Sequence, residues 1–91
     1  MLGFLRGKQG ELRVGYQLAA RLGRWSAQRT ADGDYAISAH TEELNEFWLK
    51  RQPLELRLQV GGNKKTWSWS DVQILEAGQP IRILAKGRAK K

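Results

Sequence analysis

The stretch from Leu54 to Ile74, LELRLQVGGNKKTWSWSDVQI, restricts the fold more than any other, because two runs in it alternate with a period of two around a turn signal. Leu54, Leu56, Leu58 and Val60 alternate with Glu55, Arg57 and Gln59, and Trp67 and Trp69 alternate with Thr66, Ser68 and Ser70. Each run is the pattern of a strand with one buried face. Gly62-Asn63 between them suits a two-residue hairpin loop, since glycine takes positive φ freely and asparagine tolerates it. Closing the loop between Gly61 and Lys64 predicts Leu58 opposite Trp67, Leu56 opposite Trp69, Arg57 opposite Ser68 and Gln59 opposite Thr66. One face of the hairpin is then apolar and the other polar, and a slip of one residue would mix them. Beyond Trp69 the apolar phase changes to Val72 and Ile74. A bulge or bend at Ser70-Asp71 would let one strand serve two neighbours, as at a barrel corner.

The rest of the chain fits around that hairpin. From Glu11 the even positions read Leu12, Val14, Tyr16, Leu18, Ala20 and Leu22, a sustained strand alternation. A helix over Gln17 to Leu22 is the rival, but it would send Leu12 and Tyr16 to the side opposite Val14, Leu18 and Leu22, so a strand is preferred. The phase shifts after Gly23, which marks a bulge or kink. Ala31-Asp32-Gly33 fits a three-residue hairpin loop with Gly33 in the left-handed region. That loop predicts Trp25 opposite Ala39, Ala27 opposite Ile37 and Arg29 opposite Tyr35. Thr41 is placed to cap a helix with Glu42 and Glu43 in its first turn. Leu44, Phe47 and Trp48 would form its apolar face, with Glu46 and Lys50 paired and a stop before Pro53. A four-residue loop, Glu76-Ala77-Gly78-Gln79, would pair Ile74 with Ile81 and Val72 with Ile83.

These elements predict a mainly β (α+β) fold: a small twisted antiparallel sheet or partly open barrel of about five strands, built as hairpin, short helix and three-stranded meander. The expected organisation is an N-terminal arm over residues 1–10, either disordered or an edge segment, where Leu2, Phe4 and Leu5 can dock, one domain over 11–85, and a basic C-terminal tail over 86–91.

Charge points to partners. The 91 residues carry a net charge of +7. Arg6 and Lys8 near the start and Lys86, Arg88, Lys90 and Lys91 at the end account for six of the cations, which leaves ten basic and nine acidic residues between them. The central region is nearly neutral, and the positive charge sits at ends expected to be solvated. No segment approaches the ~20 apolar residues of a membrane span. The start, MLGFLRGKQG, lacks a signal-peptide pattern, so a cytoplasmic location without membrane contact is expected.

Catalytic chemistry is thinly supplied. The chain has no cysteine and one histidine, His40. Glu42, Glu43 and Glu46 read as a solvated helix face, and Ser70-Asp71 as turn chemistry without a base for the serine. No glycine pattern matches a phosphate-binding loop. No catalytic residue, cofactor or metal is therefore expected, and the expected function is a non-enzymatic binding module. Its first-choice ligand is nucleic acid, held largely by charge and with little sequence preference by Arg57, Lys64, Lys65, Lys86, Arg88, Lys90 and Lys91. Trp67 and Trp69 are read as core, with a base-stacking platform as the alternative. The other expected partner is a protein or a second copy, bound through an exposed apolar patch or a free strand edge.

Overall fold

In the computed structural model, which describes residues 4–61 and 65–90, the described residues form eight strands and a helix. In chain order they are β1 (Phe4–Gly7), β2 (Gly10–Val14), β3 (Gln17–Arg29), β4 (Tyr35–Leu44), α1 (Glu46–Leu49), β5 (Glu55–Val60), β6 (Lys65–Trp69), β7 (Val72–Glu76) and β8 (Ile81–Ala85). One antiparallel sheet runs β6-β5-β2-β3-β4-β8-β7, with β1 also paired to β3. The sheet curls into a half-barrel, so the mainly β, partly open architecture is the one the alternation implies. β6 and β7 stand at opposite ends of the sheet order although Ser70-Asp71 alone separates them. The phase change there does let one run of chain serve two neighbours, β5 on one side and β8 on the other.

Two hairpins take the predicted registers. Leu56 faces Trp69, Arg57 faces Ser68, Leu58 faces Trp67 and Gln59 faces Thr66. The Gly62-Asn63 turn itself lies outside the described residues. Trp25 faces Ala39, Ala27 faces Ile37 and Arg29 faces Tyr35, and Gly33 has φ 87. The β3–β4 ladder shifts register between Leu22 and Trp25, the bulge expected at Gly23.

Other expectations are corrected. Residues 12–22 are not one strand: the chain turns at Gly15-Tyr16, with Gly15 at φ 61 and Tyr16 97% exposed. The helix does not begin at Thr41. β4 continues to Leu44, because Thr41, Glu43 and Leu44 pair with Leu22, Arg21 and Ala20. Sheet pairing outweighs a local cap signal worth about 1 kcal/mol. α1 is a single turn that buries Leu49 and leaves Phe47 exposed, and its N-cap Asn45 makes no side-chain cap bond. Strands beyond five come from the turn at Gly15-Tyr16, from β1 in the supposed arm and from the break at Ser70-Asp71. That break also replaces the three-stranded meander with two separate pairs. The last hairpin is offset by two residues from the expected register: Ile74 faces Ile83 and Val72 faces Ala85. An offset of two preserves which face is buried, so the hydrophobic pattern does not distinguish the alternatives.

The core is the concave side of the curl. Leu12, Leu22, Trp25, Leu56, Leu58, Trp69, Ile81 and Ile83 are almost fully buried, with Leu49 and Leu54 beside them. Both buried indole N–H groups donate to backbone carbonyls, Trp25 to Gln9 at 2.9 Å and Trp69 to Gly87 at 3.1 Å. This meets the requirement that a tryptophan in a core find an acceptor.

Past Ala39, β4 leaves its partner β8. There the Gln79 carboxamide binds both backbone groups of Thr41, accepting from its N–H at 3.0 Å and donating to its C=O at 2.7 Å. The side chain thus occupies the edge position a strand would take. Gln79→Ala should lower stability by roughly 1 kcal/mol, the scale of exposed hydrogen bonds, and should speed hydrogen exchange at the Thr41 amide. Unchanged exchange at that amide would show the carboxamide contact to be incidental.

Candidate nucleic-acid interface

The cations singled out in the sequence divide into two groups. Arg57 lies on the outer face in a row of residues paired strand to strand: Glu43 on Arg21, Arg21 on Glu11, Glu11 on Arg57, Arg57 on Ser68, and Ser68 on Lys90. Opposite charges alternate along most of that row. Arg21 is ion-paired with Glu43, and Arg57 with Glu11 at 3.7 Å and Glu55 at 3.2 Å. Glu11 also accepts from Arg13 at 2.6 Å. The cross-strand pairs Arg21–Glu43 and Arg57–Glu11 steady the sheet by tenths of a kcal/mol each, and Glu11 together with Glu55 on its own strand offsets the charge of Arg57.

The other group gathers where the β3–β4 loop meets the C-terminal segment. Within the loop the Asp34 N–H donates to the Thr30 hydroxyl at 3.1 Å, and Thr30 N–H donates to Asp34 C=O at 2.8 Å. Those bonds set the Asp34 carboxylate, which accepts from the Gly87 N–H at 2.9 Å and lies 3.9 Å from the Lys86 ammonium. Gly87 in turn accepts from the Trp69 indole. Ser68 and Lys90 then exchange two backbone hydrogen bonds, at 2.9 and 2.8 Å, and Ala89 packs against the core. The segment after Ala85, expected to be a solvated tail, is instead fastened across the end of the half-barrel. Its charges concealed this, because the segment's own share of the hydrogen bonds comes from its backbone groups, which carry no sequence signature.

The result is a groove of about 290 Å³ lined by Arg29, Gly33, Tyr35, Trp67, Arg88 and Ala89. Tyr35 and Trp67 are half-buried, while Arg29 and Arg88 are exposed. The Tyr35 ring rests on Trp69, centroids 5.4 Å apart and planes tilted by 55°. Among the described residues neither Arg29 nor Arg88 has an ion-pair partner. Two guanidinium groups at the rim and aromatic walls below can bind a phosphate and a planar group together. A larger, shallower groove of about 640 Å³ crosses the outer face past Arg6, Arg24 and His40. Its Arg6 is already stacked on Phe4 at 5.0 Å, and it is less recessed.

Of the predicted residues, the groove contains Arg88. Lys86 lies beside it but is paired with Asp34, Lys90 is exposed opposite Ser68, and Lys65 is exposed at the start of β6. Lys64 and Lys91 lie outside the described residues. Arg29 was not among the predicted binding residues, and Tyr35 was missed as a site residue. A signal for Arg29 existed: it continues the inward parity of Trp25 and Ala27, as Lys65 continues that of Trp67 and Trp69. A cation at the end of an apolar face marks the rim of a barrel. The platform alternative for the tryptophan pair is corrected for Trp69, which is 1% exposed. His40, Ser70 and Asp71 are all exposed. Among the described residues no group of three or more His, Cys, Asp or Glu side chains is placed to hold a metal ion, and no helix is long and apolar enough to cross a membrane.

No protein-family model, curated protein or solved structure matches this chain.

Proposed function

We propose that the protein is a small non-enzymatic binding module for nucleic acid, held mainly by charge and with weak sequence preference, and that it works in the cytoplasm. The observation that carries this reading is the groove that exposed Arg29 and Arg88, without ion-pair partners among the described residues, line together with half-buried Tyr35 and Trp67. The net charge of +7 adds a long-range attraction for polyanions.

The test is the salt dependence of oligonucleotide binding. Affinity should fall steeply with salt. Arg29→Ala with Arg88→Ala should weaken binding and flatten the slope of log affinity against log salt by about 1.4 for a single strand, at ~0.7 per lost phosphate contact. Arg57→Ala should change the slope little, since Glu11 and Glu55 already neutralise that guanidinium. No binding by the intact chain at low salt would refute the reading.

A protein-interaction or self-assembly module is the second reading. It is favoured by Phe4 and Leu75, 51% and 57% exposed, which line one shallow groove across the outer face. Sedimentation that shifts to larger species with concentration would favour it, and a strict monomer would count against self-assembly.

A further inference from the structure

We infer that the groove between the β3–β4 loop and the C-terminal segment receives one unpaired base, so that the protein prefers single-stranded nucleic acid to duplex. The inference rests on the nucleic-acid reading above and narrows it to a ligand class. Arg29 and Arg88 are exposed, whereas Tyr35 and Trp67 are half-buried in the same groove. A duplex carries phosphates outside and bases stacked within. It can satisfy the two guanidinium groups, but it has nothing flat to lower between them. A single strand brings both parts on one nucleotide: the phosphate meets a guanidinium at the rim, and the base lies against an aromatic wall.

The walls are also held in place, which limits the ordering that binding demands. Tyr35 leans on Trp69, a buried ring whose indole is tied to Gly87. Trp67 projects from a strand paired on both sides, to β5 along its length and to Lys90 through Ser68. Asp34 fixes Gly87, the residue before Arg88. The groove volume, about 290 Å³, is at the small end of the range for ligand pockets, so it suits one base rather than a run of them. Recognition of this kind tolerates any base, because every base offers a π-face.

The test compares a short fluorescent oligothymidylate, an abasic strand with the same number of phosphates, and a short duplex, by anisotropy at one low salt concentration. The oligothymidylate should bind roughly 5- to 150-fold tighter than the abasic strand, the range of one stacked base. Tyr35→Leu should remove most of that difference. Should Tyr35→Leu fail to fold, the comparison of probes on the intact chain decides alone. Equal affinity for the oligothymidylate and the abasic strand would overturn the inference while leaving charge-driven nucleic-acid binding standing. Binding of none of the three would remove the nucleic-acid reading and the inference with it.

Discussion

Replacing Trp69 with alanine should destabilise the protein by roughly 3–5 kcal/mol, the range for deleting a large aromatic side chain from a core. Three structural roles meet in this residue. Its ring is 1% exposed and sits among the apolar side chains of the concave face. It supports Tyr35 from behind. Its indole N–H holds the Gly87 carbonyl. Domains of this size retain only about 5–15 kcal/mol in total, so the substitution would remove a large share of that margin. Urea titration followed by far-ultraviolet circular dichroism would read the change, and the melting temperature should drop by more than about 10 °C. Trp69→Phe keeps most of the ring but no donor. It should fall between wild type and alanine and loosen the C-terminal segment selectively, visible as faster exchange at the Gly87 and Lys90 amides. A loss below about 1 kcal/mol for Trp69→Ala would show that the side chain is not the anchor its burial implies.

Ending the chain at Ala85 should be nearly as damaging, at roughly 3 kcal/mol. The truncation removes the Gly87 N–H bond to Asp34, the Gly87 acceptor of the Trp69 indole, the two bonds between Ser68 and Lys90, and the Lys86 N–H bond to the Asp71 carbonyl at 3.1 Å. Each is worth about 0.5–1.5 kcal/mol net, and the abandoned indole donor costs more than an ordinary one because it is buried. Ala89 also leaves the core surface. The truncated protein would lose Arg88 and a groove wall along with its stability, so it cannot separate charge from fold. Arg88→Ala with Lys90→Ala removes two charges and keeps the backbone contacts, and should leave the urea midpoint close to that of wild type. An unchanged midpoint after truncation would mean that the segment is solvated, as its charge pattern alone suggests.

Local periodicity was legible wherever a turn residue agreed with it. Gly33 and the alternation around it determine the pairing of Trp25 with Ala39, and the leucines of β5 determine that of β6. The reading failed where a residue kept the pattern alive through a turn. Tyr16 falls on the apolar parity of Leu12 and Val14, yet it is the most exposed large side chain at a hairpin tip. It failed again where tertiary pairing opposed local preference, as at Thr41, whose backbone is held by Gln79, 38 residues away. Half the candidate site was visible as charge. Arg88 belonged to an obvious basic cluster, but its alignment with Arg29 depends on the Asp34–Gly87 bond, which spans 53 residues and leaves no periodic trace.

The position of β8 has a consequence for how the chain is made. β8 lies between β4 and β7, and its residues Ile81, Ile83 and Ala85 face Ala39, Ile37 and Tyr35. During synthesis β4 must therefore wait for more than thirty further residues before its second edge is covered. β6 is paired to β5 earlier, but its other edge gains the Lys90 bridge later still. A nascent chain stopped in the seventies would expose the edge of β4 and the apolar side chains that Ile81 and Ile83 bury. Pairings over such separations fold slowly and leave sticky intermediates. Stalled ribosome-bound chains should accordingly remain protease-sensitive until β8 and the segment after it have cleared the exit tunnel, and gain resistance in one step rather than strand by strand.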